Sequence, residues 1–359
     1  MQNRIVTALA ARLGAYIPLG KSRLETLFLM ITGAIGARTV NLGHVATERG
    51  GQVKPASTYR RLQRFFQFFA LAPDWAAPIL AATLGTERWT LVLGRTNWKI
   101  GRTEVNYLVL AAVTRRRRVP LIWTLLPHGG GSASADRIAL MRRYLAHFPV
   151  ASIRLLLGDR EFVGAEWLKF LNDNNIPFVI RLREDLRVTD EAGHDLTLGA
   201  RLHRAGHSRF FDARLGARED AAGAPLLHFA ARHIGAEWLI VCSNRPARAA
   251  LEAYRKRWAI ECLFAEAKTR GLNMEDTRLT DPRKLHLLMA IVALALAWAA
   301  ATAASLLGSR APPARRTDTR PSPGSASAST TSGTPSDPKP TPRKPSAQPS
   351  KSPESCSVR

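Results

Sequence analysis

The chain has 359 residues, with 52 Lys and Arg against 28 Asp and Glu, and a formal net charge of +24. Its 46% hydrophobic content can supply a sizeable core, and its length indicates two or three domains. So large a basic excess predicts a polyanionic partner, most simply nucleic acid, and argues against a small neutral ligand. Three scattered cysteines exclude a disulfide framework or a zinc ribbon, and together with the lack of a secretion signal they predict a cytoplasmic protein.

The first region, residues 1–83, is expected to be helical. Ser22 and Glu25 have the spacing of a capping box and precede an apolar run that is typical of a core helix. The segment Val40–Glu48, a Gly-rich turn and a helix that starts near Ser57 then form a loose helix-turn-helix pattern. Its second helix carries basic residues on a polar face: Arg60, Arg61 and Arg64. Two interpretations stay open, a solvated face of a small helical bundle or a helix that binds DNA.

From Trp89 onwards the pattern changes to alternating strands and helices. Short apolar runs predict the order β, β, β, α, β, α, β, in which the ends of the first and fourth strands lie side by side. This is a ribonuclease-H-like mixed sheet within an α/β fold, and we expect it to form a core over residues 84–308. A β-rich insertion interrupts this core at about 184–236. The core resumes with the strand Glu237–Ser243 and a long helix, Ala247–Arg270.

Two later segments are set apart by composition. The run Leu285–Leu307 is long and apolar enough to cross a bilayer, but its isolation and Ala content favour a buried helix, with no membrane partner. Residues 309–359 form a basic tail rich in Pro, Ser and Thr that cannot build a packed core and is expected to be disordered. Either a natural tail or out-of-frame reading of a GC-rich gene explains this composition.

The helix Ala247–Arg270 carries an unusual set of side chains at steps of three, four and seven residues: Tyr254, Arg257, Glu261 and Lys268. In a continuous helix these steps keep all four on one face. A tyrosine, two cations and one carboxylate suit a surface that binds phosphates and offers a metal ligand. The alternative is an ordinary salt-bridged helix with the tyrosine packed beside it.

A second candidate carboxylate, Asp159, follows the buried strand in the segment LLLGDREF. At the carboxyl end of a strand it is either a capping residue or a metal ligand. Together with Glu261 it could bind magnesium and activate water or a sugar hydroxyl for in-line attack on a phosphodiester.

With these motifs the chain resembles the DDE transposases of bacterial insertion sequences, in the type-four branch that carries the YREK signature. The resemblance covers about Ser57 to Leu307. It implies DNA cleavage at transposon ends and strand transfer, with two Mg2+ or Mn2+ ions held by three carboxylates. The second and third carboxylates would be Asp159 and Glu261, while Tyr254, Arg257 and Lys268 would contact transposon-end DNA. The expected partners are duplex DNA of the terminal inverted repeats and the target, with a dimer at synapsis, associated with the bacterial nucleoid.

One position departs from the family's pattern. The segment that the family writes Asp-Arg-Thr-x-Trp reads Gly-Arg-Thr-Asn-Trp here, so Gly94 stands where the first catalytic aspartate belongs. Neither Glu87 nor Glu104 is placed to substitute, and Glu161 would need a rearranged turn. The sequence therefore predicts a transposase whose catalysis is impaired, or alternatively a non-cutting relative that occupies transposon ends as an inhibitor.

Overall fold

The computed structural model describes residues 17, 19–69, 71–115, 117–204, 210–221, 223–234 and 237–307. The predicted tail, 309–359, lies outside the described residues. Four helices precede the sheet: α1 (Lys21–Ala37), α2 (Leu42–Thr47), α3 (Pro55–Phe68) and α4 (Ala77–Ala82).

Over its described residues, 17, 19–69 and 71–83, the first region is helical as predicted, while residues 1–16, 18 and 70 lie outside the described part; the capping box is wrong. Helix α1 begins at Lys21 after Gly20, and no side chain caps it. Ser22 therefore lies inside the first turn, where it and Glu25 contact Arg61 of α3 instead of the free backbone N–H groups. Asn41 caps α2 through a hydrogen bond from the Gly43 N–H at 3.0 Å.

Ten strands among the described residues form one mixed sheet in the order β3-β2-β1-β4-β5-β10-β9-β8-β6-β7. The strands are β1 (Trp89–Ile100), β2 (Thr103–Val113), β3 (Arg118–Leu125), β4 (Ile153–Gly158), β5 (Phe178–Leu182), β6 (Arg187–Asp190), β7 (Asp195–Thr197), β8 (Phe210–Leu215), β9 (Leu226–Ile234) and β10 (Glu237–Ser243). Strands β1, β4 and β5 are parallel, and β2 is antiparallel to β1. The first and fourth strands are thus neighbours, as predicted.

The region that was expected to be a β-rich insertion continues the same sheet. Strand β9 pairs with β10, and β8 and β6 extend the sheet beyond it. An unpaired edge of β10 would leave backbone N–H and C=O groups without partners, and β9 supplies them.

Helices cover both faces of the sheet. They are α5 (Ser134–His147), α6 (Ala165–Asp173), α7 (Leu198–Arg204), α8 (Arg218–Ala221), α9 (Ala250–Tyr254), α10 (Trp258–Ala267) and α11 (Pro282–Leu307). The larger core includes residues of α1, α5, α6 and α11, while α9 and α10 pack on the other face in a smaller core.

Helix α11 behaves as a core helix. By length and composition Pro282–Ser305 could span a membrane, yet 56% of its most apolar stretch is buried inside the fold. The Tyr107 hydroxyl donates to the Leu285 carbonyl at 2.8 Å, which joins the start of this helix to β2. Burial against the sheet and α1 accounts for the apolar run without a bilayer.

Candidate active site

The site lies where β1 and β4 stop pairing. The last pair of that parallel ladder joins Val92 to Leu157. Counting two positions further along each strand places Gly94 level with Asp159. Neighbouring parallel strands present such residues on the same face, and here that face is the one covered by α9 and α10.

Asp159 caps a short 3-10 turn, Arg160–Phe162, and is surrounded by donors. Its carboxylate accepts the Arg160 N–H at 2.8 Å and the Tyr254 hydroxyl at 3.1 Å. A guanidinium nitrogen of Arg257 lies 3.2 Å from the other carboxylate oxygen. Burial raises the pKa of the Tyr254 hydroxyl, and the charge of Asp159 raises it further, so Tyr254 stays a neutral donor to this carboxylate.

Arg257 joins the two predicted catalytic carboxylates. One of its guanidinium nitrogens pairs with Asp159 and another with Glu261, and its side chain is only 16% exposed. Burial lowers the pKa of Arg257, but Tyr254, Asp159 and Glu261 outweigh that effect and raise it overall. Asp159 and Glu261 therefore lie within reach of one side chain, with a fixed positive charge between them.

The long helix expected at Ala247–Arg270 is interrupted, which corrects the sequence prediction. A 3-10 turn at Arg255–Arg257 separates α9 from α10, and α10 ends at Ala267. A 3-10 turn advances about 120° per residue rather than 100°, so the four signature residues do not follow one α-helical face. Lys268 follows the last turn with φ −95° and ψ −134°.

Lys268 forms its contacts with a different part of the chain from those of Tyr254, Arg257 and Glu261. Its ammonium donates to the Asn97 carbonyl at 2.9 Å, pairs with Glu275 at 2.9 Å and lies 5.3 Å from the centroid of the Trp98 ring. These contacts link the end of α10 to the outer part of β1.

Gly94 lies inside β1 rather than at its end, because β1 continues to pair with β2 as far as Ile100. A Cβ atom on Gly94 would lie 2.5 Å from Cγ1 of Ile260 and 3.1 Å from Cε2 of Phe264. The side chains of α10 therefore occupy the space into which a side chain at Gly94 would project.

The donor set does not fit two divalent ions. Among the residues that the structure describes, no group of three His, Cys, Asp or Glu could hold a metal ion. Two-metal sites need bridging carboxylates, and here Asp159 and Glu261 are already neutralised in part by Arg257. Gly94, which is level with Asp159, has no side chain that could supply a third carboxylate.

Glu161 and Glu104, the other acidic residues considered for the third carboxylate, are paired with basic residues instead. Glu161 pairs with Arg95 at 3.1 Å, and Arg95 also donates to the Asn106 side chain at 3.2 Å. Glu104 pairs with Lys99 on the outer part of the β1–β2 hairpin.

Sequence reasoning missed Arg181, which the structure brings to the site. Gly158 of β4 pairs with Ile180 of β5, so the next positions, Asp159 and Arg181, are level. Arg181 has a buried Nε atom without a hydrogen-bond partner and a loose ion pair with Glu237 at 3.8 Å. The sequence signal that could have found it is a basic residue between the apolar residues Ile180 and Leu182.

The three arginines of α3 have different environments. Arg60 and Arg64 are exposed and form no hydrogen bond or ion pair with other described residues. Arg61 instead contacts α1: its guanidinium donates to the Ser22 carbonyl at 2.6 Å and the Thr26 hydroxyl at 2.7 Å, and pairs with Glu25 at 3.3 Å. Arg61 thus fastens α3 to α1.

We expect Arg61→Ala to lower the free energy of unfolding by about 1–2 kcal/mol, because several charge-assisted hydrogen bonds of a partly exposed side chain are lost. Arg60→Ala, the neighbouring exposed control, should change it by less than about 0.5 kcal/mol. Denaturant unfolding of both variants measures the difference. Equal effects would contradict a fastening role for Arg61.

The chain was compared with solved structures and with curated proteins. The chain resembles a protein of unknown function from Archaeoglobus fulgidus at 12% identity, over 57% of this chain and 97% of that chain, with a TM-score of 0.22. It resembles Ciona intestinalis endonuclease V, solved with inosine-containing DNA, at 11% identity over 61% and 92%, with a TM-score of 0.27. It resembles human ENDOV at 14% identity, over 69% of this chain and 99% of that chain, with a TM-score of 0.24. At such TM-scores the likenesses carry no conclusion, and no curated protein matches the chain.

The sequence model of the transposase DDE domain matches residues 93–298, which is more than half of the chain. The match begins one residue before Gly94 and includes Asp159, Glu261 and the interrupted helix that carries Arg257. That family implies a ribonuclease-H-like fold, with which the order β3-β2-β1-β4-β5 agrees. The chain belongs to the transposase DDE domain family.

Proposed function

We propose that this protein is an insertion-sequence transposase, of the branch with the YREK signature, that binds transposon-end DNA but is impaired in metal-dependent cleavage and strand transfer. Membership of the transposase DDE domain family supports a transposase, and the spacing of Tyr254, Arg257, Glu261 and Lys268 supports the branch. The observation that carries the second is Gly94, level with Asp159 and packed against Ile260.

DNA binding rests on charge and on the placement of cations. A net charge of +24 favours a polyanion. Arg257 pairs with Asp159, Arg181 is level with Asp159 on β5, and the exposed Arg60 and Arg64 lie on α3. Duplex DNA of the terminal repeats and of the target is the proposed partner, and pairing of two ends requires a dimer. Such a protein would act at the nucleoid, in the cytoplasm of a bacterium.

The chemistry that divalent ions supply in this family is activation of the attacking oxygen and stabilisation of charge on the phosphate. In this chain Asp159 and Glu261 would be the residues nearest to such ions, but their donor set is incomplete. What the chain's own residues do is pair both carboxylates with Arg257 and hold Tyr254 as a neutral donor to Asp159.

We expect the purified protein to shift a duplex taken from the gene's flanking sequence in a gel and to leave that duplex uncut in Mg2+ or Mn2+. Binding without cleavage would also be the behaviour of the second candidate function, a non-cutting relative that occupies transposon ends. Restoring a carboxylate at position 94 separates the two, because an impaired transposase should then regain cleavage, whereas a relative that only occupies the ends should not. Mg2+-dependent cleavage by the unaltered protein would contradict impairment.

A further inference from the structure

The ammonium of Lys268 is fully engaged inside the protein. An ammonium has three N–H donors, and Lys268 has three neighbours among the described residues: the Asn97 carbonyl, the Glu275 carboxylate and the face of Trp98. Its side chain is 20% exposed. A DNA phosphate can therefore reach this ammonium only if one of those neighbours gives way.

Two of the three neighbours cannot leave. The Asn97 carbonyl belongs to the backbone of β1, within its ladder to β2. The Trp98 side chain is 7% exposed and stacks on Tyr107, with ring centroids 5.6 Å apart. The Glu275 carboxylate is different, since its side chain is 36% exposed and is not part of the sheet or of the buried aromatic pair.

The backbone around Glu275 holds the carboxylate in place. Residues Met274–Asp276 form a 3-10 turn in which Met274 is 1% exposed, and the Thr39 hydroxyl donates to Asp276 at 3.0 Å. The Asn273 N–H also donates to the Lys268 carbonyl at 2.8 Å. The turn is thus anchored on both sides, with Glu275 directed at Lys268.

We propose that the Glu275 carboxylate occupies, on Lys268, the place of a DNA phosphate oxygen, and that DNA must displace it to bind there. The inference rests on the proposed DNA binding and adds an internal competitor to it. A carboxylate and a phosphate both accept charge-assisted hydrogen bonds from an ammonium, so the two exclude each other at this donor. Glu275 therefore lowers the affinity for DNA and disfavours weakly held, non-cognate duplexes.

The test compares Glu275→Gln with a matched control, Glu252→Gln. Glu252 also pairs with a basic residue, Arg255 at 3.2 Å, but both side chains are 74% exposed. Fluorescence anisotropy with a labelled duplex from the gene's flank should show Glu275→Gln binding about three- to fivefold more tightly than the unaltered protein, and Glu252→Gln less than about twofold more tightly. In a Lys268→Ala background the gain from Glu275→Gln should fall to that of the control.

Thermal unfolding of each variant verifies that the fold is retained, and Glu275→Ala should repeat the gain if Gln itself perturbs the turn. Equal gains for Glu275→Gln and Glu252→Gln would overturn the inference, as would a gain that persists without Lys268. If the unaltered protein does not bind the duplex at all, the proposed function fails and this inference fails with it.

Discussion

Arg257→Ala should weaken duplex binding by about tenfold or more, beyond what one lost phosphate contact explains. The substitution removes a cation and also leaves Asp159 and Glu261 without the guanidinium that partly neutralises them. The local charge of these three residues changes from −1 to −2, and the added negative charge repels the DNA backbone.

The same substitution should lower the free energy of unfolding by about 1–3 kcal/mol, because it leaves two partly buried carboxylates facing each other. Arg255→Ala, in the same 3-10 turn but 74% exposed, is the matched control and should have little effect on stability. Arg257→Lys keeps the charge but loses the planar fork that reaches both carboxylates, so its stability should be intermediate.

Binding isotherms at several salt concentrations and denaturant unfolding measure these effects. Asp159→Asn/Glu261→Gln in the otherwise unaltered protein should act in the opposite direction and tighten duplex binding, because it releases Arg257 from both partners. If Arg257→Ala and Arg255→Ala bind DNA equally well, Arg257 contributes no more to DNA binding than an exposed arginine does, and the prediction is wrong.

The central sheet was predictable because strands leave a local signal. Apolar runs such as the one before Asp159 mark buried strands, and the sequence order of strands and helices restricts the topology to few arrangements. The strand Glu237–Ser243 has the predicted bounds. The same pattern did not show that β1 continues through Gly94, since a glycine followed by polar residues is typical of a strand end.

The contacts of the site were less predictable because they join residues far apart in the chain. Arg257 to Asp159, Lys268 to the Asn97 carbonyl and Arg61 to α1 are tertiary contacts without a local signature. The helix break at Arg255–Arg257 also escaped prediction, since Arg and Lys are good helix formers. The residues of the site could be named from the sequence, but their hydrogen-bond and ion-pair partners could not.

Restoring the missing carboxylate should require two substitutions rather than one. Gly94→Asp alone places its Cβ 2.5 Å from Cγ1 of Ile260, so either helix α10 must shift or the Ile260 side chain must change rotamer. Overpacking of this kind costs about 1–3 kcal/mol. We therefore expect Gly94→Asp to unfold at lower temperature than the unaltered protein and to regain little cleavage.

Gly94→Asp/Ile260→Ala should recover both stability and chemistry. Alanine removes the γ carbons that collide with the new side chain, and the aspartate, level with Asp159, completes a set of three carboxylates with Glu261. If the lost charge stabilisation is worth several kcal/mol, cleavage of the cognate ends should rise by roughly a thousandfold, at about 1.4 kcal/mol per decade. Calorimetry with Mn2+ should detect tighter binding to the double variant than to the unaltered protein, independently of cleavage.

Gly94→Asn/Ile260→Ala is the matched control, because asparagine has nearly the volume of aspartate without its charge. It should show the stability of the repaired protein without Mn2+ binding or cleavage, and Asp159→Asn in the repaired protein should abolish cleavage again. If the double variant binds Mn2+ but does not cut, Gly94 is not the sole lesion and a further part of the catalytic machinery is defective. If it neither binds Mn2+ more tightly nor cuts, the assignment of Gly94 to the first carboxylate position is wrong.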